Sequence, residues 1–414
     1  MKFNVFVLPT VPGTPEERVA LRPIGRNRER VGQMYEEIIE ICQVAEDVGF
    51  ESFSTTEHHF HSEGFELSSS PLVLYSHLAA ICKKITFAPL GVVLPTWDPI
   101  RLAEEIATLD HLSHGRVTVG VARGYQPRWT NVLGQKYHVQ GATMDGSAID
   151  EQNREVFEEV LDVMIKAWTQ ESFRHQGKYY QVPSTPEGVD WACREVTEQY
   201  GAPNEIDPLT GKSVEISVVP APFQDPHPKF WQGYAASEST VLRCAARGIV
   251  PFILVSKPEQ LLEFCEKYRR IAAENGRNLA LGEGVGVTRG VVFGKTFEEA
   301  YELGVKSIGY VFGEYLARFG FVELFRRPED NPAFPLNLGG PRELFQRLFE
   351  DGLVLCGTPD VVKRQIEAVA RCHGNGNGNL EHFSWQLLSQ GLAPQETTLE
   401  QLELFGKHII PEFS

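Results

Sequence analysis

The stretch Ile85–Tyr125, "ITFAPLGVVLPTWDPIRLAEEIATLDHLSHGRVTVGVARGY", decides the fold. It opens on an apolar, β-prone run, ITFAPL (85–90), and closes on another, RVTVGV (116–121). Between them, residues 99–112 carry a helical pattern. A strand, a helix and a second strand in that order make the unit from which parallel sheets are built.

The alternation continues in both directions. Upstream lie KFNVFVL (2–8), a helix at about 30–48, FESFST (50–55) and a helical pattern at 71–82. The first of those helices sets Tyr35, Ile38, Ile39, Cys42 and Ala45 on one face and ends at Gly49. Downstream, the clearest helix is 150–168, where Phe157, Val160, Leu161, Met164, Ile165 and Trp168 share a face. Strand patterns follow at FWQGYA (230–235), IVPFILV (249–255), GVGVTRGVVF (284–293) and LEHFSWQLL (380–388). Helices at about 238–247, 259–274, 359–372 and 398–408 lie between or after them. Eight strands, nearly all separated by helices, predict an α/β protein: a (β/α)8 TIM barrel, with residues 1–414 as one domain. An open Rossmann-like sheet would want a GxGxxG turn after the first strand, and LPTVPGTPEER (8–18) does not supply one. Residues 170–228 and 305–355 exceed a minimal barrel and are expected to be insertions, acting as lids or packing surfaces. HGNGNGN (373–379) reads as a low-complexity turn.

Composition narrows the function. The chain has 414 residues, 42% of them hydrophobic, and a formal net charge of −16. An acidic surface repels phosphate backbones, which argues against nucleic acid as a partner. The start, MKFNVFVLPT, lacks the apolar run of a signal peptide, and no stretch approaches the ~18–20 apolar residues that span a bilayer. A cytoplasmic protein without membrane contact is the expectation. Seven scattered cysteines without CxxC spacing argue against a disulfide framework and against a thiolate metal site.

The chemistry concentrates in TTEHHFHSEG (55–64), which leaves the C-terminal end of the second strand. In a barrel that is the face where active sites sit, and a histidine there can serve as general base or acid. His59 and His61 form an HxH pair, but the later strand ends TVGVARG, YAASES, FILVSKP and VVFGKTF offer no histidine, and His382 falls inside the eighth strand. No metal is expected. A glycosidase would need a second carboxylate opposite Glu57, and the other strand ends show no convincing one. A solvated loop without chemistry is the plain alternative.

In GYAASESTVLRCAARG (233–248) the fifth strand runs straight into a helix that starts at Ser237, Ser239 and Thr240. Hydroxyls and free N–H groups at a helix start can cradle a phosphate, although Ser and Thr are equally ordinary N-caps. Arg123, in GVARGYQPRW (120–129), lies just past the fourth strand on the same face. It suits a phosphate clamp or a pairing with a loop carboxylate.

Taken together, TTEHHF, the block from Pro89 to Tyr125, AASESTVLRCAARG (235–248) and CGTPDVVKRQIEAV (356–369) resemble the bacterial luciferase-like flavin monooxygenases. The resemblance covers roughly 1–125, 150–170, 215–300 and 355–414, and leaves out both insertions. It implies reduced FMN at the C-terminal face, supplied by a separate NAD(P)H:flavin reductase. The flavin reacts with O2 to a C4a-hydroperoxide that oxygenates a small substrate. It implies His58 as the catalytic base or proton donor, with Glu57 beside the cofactor. Leu90 and Gly91 would form a non-proline cis peptide under the isoalloxazine ring, and Arg123, Ser237 and Thr240 would hold the phosphate. Phe60, Tyr125 and Trp129 could line an apolar substrate pocket or belong to the core. His59 and His61 are expected to be packing or loop residues. Ala236 and Ala122 stand where bacterial luciferase has a glutamate and a reactive cysteine, which puts luciferase activity itself in doubt. A homodimer through the helices at 71–82 and 99–112 is also implied. The competing readings are an F420-dependent oxidoreductase on the same barrel and a non-catalytic flavin-binding protein.

Overall fold

The computed structural model describes residues 1–371 and 380–413, so the HGNGNGN turn lies outside the described residues. Eight parallel strands form the barrel: β1 (Lys2–Val7), β2 (Ser52–Thr55), β3 (Thr86–Phe87), β4 (Val119–Ala122), β5 (Phe230–Ala235), β6 (Val250–Ile253), β7 (Gly286–Phe293) and β8 (His382–Leu387). Each pairs in parallel with the next, and β8 pairs with β1 across Lys2↔His382 to Val7↔Leu387. Between β3 and β4 the ring is carried by the bridge Phe87↔Val117 and then by Val92–Val93 against Val121–Ala122.

Strand alternation explains the two apolar layers. Phe3, Val5 and Val7 point outward into the core under the helices, together with Phe53 and Trp385. Phe6 and Leu8 join a second cluster with Leu90, Trp231, Phe252 and Leu254. Asn4 faces a polar group: its amide donates to Ser384 Oγ at 2.8 Å, and its carbonyl oxygen accepts from Ser52 and Ser54 at 2.9 and 2.7 Å. These buried hydroxyls are therefore satisfied.

ITFAPL yields only two residues of regular strand, Thr86–Phe87, but Ala88 N and Leu90 N go on donating to Phe53 O and Thr55 O of β2 at 3.0 and 2.8 Å while the backbone presses against β4 on its other side. A Cβ on Gly120 would lie 1.6 Å from the Pro89 carbonyl oxygen, and one on Gly91 would lie 2.8 Å from the Val121 backbone. Both positions need glycine for this approach. The Leu90–Gly91 peptide bond is cis.

The two insertions go to different places. Residues 170–228 form a short hairpin (His175–Gln176 with Gln181–Val182), the helix Arg194–Tyr200 and irregular loops. They are tied to the outer helices: Glu159 accepts from the backbone N–H groups of Lys178, Tyr179 and Tyr180, and Asp110 accepts from Gln224. Residues 305–355 continue the helix Phe297–Gly304 into a π-turn (Val305–Gly309), then Tyr310–Glu314, two 3-10 turns and the helix Pro341–Glu350. Gly304 and Gly309 admit that last helix, since their Cβ atoms would sit 2.2 Å from the Phe345 ring and 2.3 Å from Pro341 O. Val354–Gly357 then adds a strand to β7, on the edge not taken by β8.

Candidate active site

The loop after β2 descends into a cleft at the C-terminal end of the barrel. The cleft has about 1160 Å³ of empty space, including its open mouth. His58, Glu57, Leu90, Gly91, Arg123, Tyr125, Trp129 and Thr240 all line it. The barrel face predicted from strand placement is thus where these residues meet.

Glu57 is 2% exposed, and its carboxylate accepts from Val93 N at 2.8 Å, from the Trp97 indole at 2.9 Å and from the His59 ring at 3.0 Å. It braces the loop against the segment after β3. His58 is buried beside it, with Nδ1 3.0 Å from Glu66 Oε2 and 3.3 Å from Thr56 Oγ1. Because Nδ1 is committed to Glu66, Nε2 is the nitrogen left to face the cleft. Tyr125 stands edge-on to the His58 ring at 6.0 Å, and Trp129 packs against both His58 and His59. Burial pushes the Tyr125 hydroxyl pKa well up, as does the nearby Glu66 charge.

Phe60 corrects the expectation of a pocket residue. Its φ is +65°, in a tight turn where Ser62 N bonds Phe60 O, and its side chain is half exposed rather than in the cleft. The left-handed backbone turns it outward.

At the other end of the cleft, Arg123 donates to Asp150 Oδ1 at 3.0 Å, so the carboxylate pairing foreseen as its alternative is present as well. Arg154 binds the other oxygen of Asp150 at 3.2 Å. Arg243 donates to Thr240 Oγ1 at 3.3 Å and has no carboxylate within ion-pair distance among the described residues. These three guanidinium groups line one recess together with Arg247 and Glu158, which pair with each other at 3.0 Å, and Arg123 and Gln232 join it to the cleft. Burial lowers the pKa of Arg243, and the charges of Arg154 and Arg123 add to that. Such a cluster favours a bound anion. Ser237 is both N-cap, accepting from Thr240 N, and neighbour to the Thr240 hydroxyl at 2.9 Å.

Sequence reasoning missed several residues. Arg243 follows Thr240 by one helical turn, and that spacing was a legible signal. Arg154, Glu66, Gln126 and Tyr315 reach the site only through folding. His61, expected to be a packing or loop residue, packs: it is buried and stacked on His58. Among the described residues, no group of three or more His, Cys, Asp or Glu could hold a metal ion, and no helix is long and apolar enough to cross a membrane.

The family of luciferase-like monooxygenases matches residues 1–375. The chain belongs to this family. This luciferase-like monooxygenase is 26% identical over 399 residues to the 3,6-diketocamphane 1,6-monooxygenase of Pseudomonas putida, covering 96% of this chain and 98% of that one. It is 31% identical to the oxygenase component of a flavin-dependent trigonelline monooxygenase from Acinetobacter baylyi, over 37% of this chain and 39% of that one. Among solved structures, it shares the fold of the oxygenating constituent of 3,6-diketocamphane monooxygenase from Pseudomonas putida, a type II Baeyer–Villiger monooxygenase in complex with FMN. The TM-score there is 0.71 at 22% identity, covering 100% and 99% of the two chains. The F420-dependent tetrahydromethanopterin reductase of Methanopyrus kandleri shares the fold at TM-score 0.61 and 18% identity, again over 100% and 99%.

Proposed function

We propose that the chain is the oxygenase component of a two-component system: it takes reduced FMN from a separate NAD(P)H:flavin reductase and oxygenates a small organic substrate with O2. The observation that carries this reading is one cleft with an arginine-rich recess, Arg123, Arg154 and Arg243 among its lining, at one end and a buried histidine, its outer nitrogen free, at the other. The fit to FMN rests on charge and room. Arg243 lacks a carboxylate partner among the described residues, Arg123 and Arg154 share Asp150, and Arg154 also pairs with Glu151 at 3.5 Å, so a phosphate would offset the positive charge left over. Arg123, Arg154, Arg243, Ser237 and Thr240 would hold the phosphate. Glu57, Leu90 and Gly91 would bound the ring system.

Reduced flavin, when bound, supplies the chemistry that activates O2. The chain's own residues bind, orient and shield. His58 holds or moves a proton at Nε2, with Nδ1 anchored by Glu66. Phe312, Leu316, Phe321 and Phe325 roof the cleft and exclude water. The apolar roof suits an uncharged substrate, and the named Pseudomonas relative makes a cyclic ketone the first class to try. A homodimer through Pro71–Ile81 and Pro99–Ser113 is supported by exposed Val73 and Leu112 on those packed helices. A cytoplasmic place follows from the need for an NAD(P)H-driven reductase, and one barrel domain with two insertions suffices for the whole reading.

Anaerobic titration with FMNH2 tests it. Saturable binding is expected, weakened about tenfold or more in Arg123→Ala and in Arg243→Ala, the loss of one charge-assisted contact each. Absence of binding, or wild-type affinity in both variants, would sink the cofactor reading. Product formation without O2 would replace it with F420-type hydride transfer.

A further inference from the structure

Four side chains around His58 are not among the residues proposed to hold the flavin: His61, Glu66, Gln126 and Tyr315, of which Glu66 lines the cleft. The His61 ring stacks on the His58 ring, with centroids 5.5 Å apart and planes within 11°. His61 Nδ1 is 2.7 Å from the Phe65 carbonyl oxygen, and Nε2 is 2.8 Å from Gln126 Oε1. A carbonyl oxygen only accepts. The Gln126 amide cannot be reversed either. Its oxygen receives the Trp129 indole N–H at 3.0 Å, a group that only donates, and its NH2 donates to Glu66 Oε2 at 3.1 Å. Both ring nitrogens of His61 therefore face acceptors and need protons. A neutral ring would set a lone pair against a carbonyl oxygen at hydrogen-bond distance.

Glu66 is the counter-ion for this pair of rings. It is 2% exposed and touches His58 Nδ1 at 3.0 Å. Burial alone would raise its pKa. A charge on His58, the hydrogen bond from that ring, a charge on His61 and the Gln126 amide oppose burial and hold it below the usual carboxylate range; with His58 neutral, the last three remain. One carboxylate between two imidazoles can neutralise one positive charge.

We propose that His61 carries that charge and, as a positioning residue, holds His58 neutral, with its proton on Nδ1 toward Glu66 and the Nε2 lone pair toward the cleft. The inference rests on the flavin monooxygenase reading for what His58 does with that lone pair. The groups facing His61 are Glu66 and Glu63 of its own loop, His58, Tyr125 and Tyr315. Glu63 is paired with Arg128 at 2.8 Å. Burial and then a charge on His58 pull the His61 pKa down, while Glu66, Phe65 and Gln126 oppose them. The His58 contribution vanishes once His58 is neutral, and burial then acts on a charge whose two ring nitrogens both face hydrogen-bond acceptors. The Tyr315 hydroxyl, 2.9 Å from His61 Nδ1 and 3.3 Å from Nε2, is the one other group in reach that could donate to the ring.

Nitrogen-15 NMR of histidine-labelled full chain without flavin tests this, at about pH 7.5, where a histidine of ordinary pKa is mostly neutral. Both His61 nitrogens are expected to bear protons, and His58 to bear one, on Nδ1. Tyr315→Phe should leave the His61 pattern unchanged. In His61→Gln the titration midpoint of His58 should rise by about one pH unit, because a like charge is gone and Glu66 serves His58 alone. A singly protonated His61 in the wild-type chain, a His61 proton lost in Tyr315→Phe, or an unmoved His58 midpoint would each overturn the proposal. No flavin is in the sample. A failed FMNH2 titration therefore leaves the histidine charges standing, and a failure here leaves the cofactor reading standing.

Discussion

Residues 170–228, rich in Pro, Gly and Asp, and residues 305–355, rich in aromatic helical pieces, both exceed a minimal barrel and differ in what they touch. The first is an apron on the outer helices, held by polar ties to Glu159, Asp110 and Asp98. It leaves Trp191, Tyr200 and Leu209 exposed and contributes nothing to the cleft. The second is a roof. It buries Phe312, Leu316 and Phe325 in one cluster with the barrel residues Phe6, Leu90 and Trp231, and it reaches His61 through Tyr315. Position along the chain decides this. The roof leaves the barrel after β7, at the C-terminal end where the cleft opens, whereas the apron leaves from the far end of the helix Ala148–Thr169.

Substitutions can break or sharpen the contrast. The largest effect is expected for Phe345→Ala, which removes a fully buried ring that joins the roof helix to Gly304 and Gly309. A loss of about 3–5 kcal/mol in urea unfolding is expected. An effect below about 1 kcal/mol would mean that the roof is not part of the cooperative core. Next comes Tyr180→Phe, which removes a hydroxyl 2.9 Å from Asp98 Oδ2 and so loosens the apron. It should cost about 1–2 kcal/mol, with FMNH2 affinity and the His61 NMR pattern unmoved. A shift in either cleft reading would join the apron to the site.

Acid should remove one anchor of the roof. The Arg347 hydrogen bond, helped by the Arg327 backbone, lowers the Asp330 pKa to about 2. A depressed carboxylate stabilises the fold above its unfolded value of about 3.9, and that contribution is lost as pH falls through the folded value. Proteolysis or amide exchange near Asp330 and Arg347 should therefore rise between about pH 4 and pH 2. Unchanged protection across that window would remove this ion pair from the roof's anchors. The smallest effect is expected for Leu209→Ser on the exposed apron, within about 0.5 kcal/mol. A larger loss measured at high protein concentration would show that this face is covered by another molecule.

Much of the frame was legible because helices and strands have their own periods. The runs at 230–235 and 238–247 are the observed strand and helix, and the eight strands fall where alternation set them. ITFAPL keeps its hydrogen bonds to β2 as far as Leu90, although only Thr86–Phe87 is regular strand, because its other side presses against Gly120 of β4. In the site, His58, Arg123 and Thr240 stood out because strand ends share one face of a barrel. Phe60 was misplaced because the sign of φ is not written in residue type. Glu66 and Gln126 carried no signal of their own. Their roles come from the partners that folding brings within 3.1 Å of each other.

The sequence by itself determined the barrel, its open face and the family, since these follow from local patterns and from a contiguous block of residues. Tertiary structure alone decided which insertion became the roof, that Arg154 and Arg243 join Arg123, and that His61 stacks on His58. The physical reason is range. Periodicity acts over neighbouring residues, whereas charge pairing and donor–acceptor matching act through space, between residues as far apart in the chain as His61 and Tyr315.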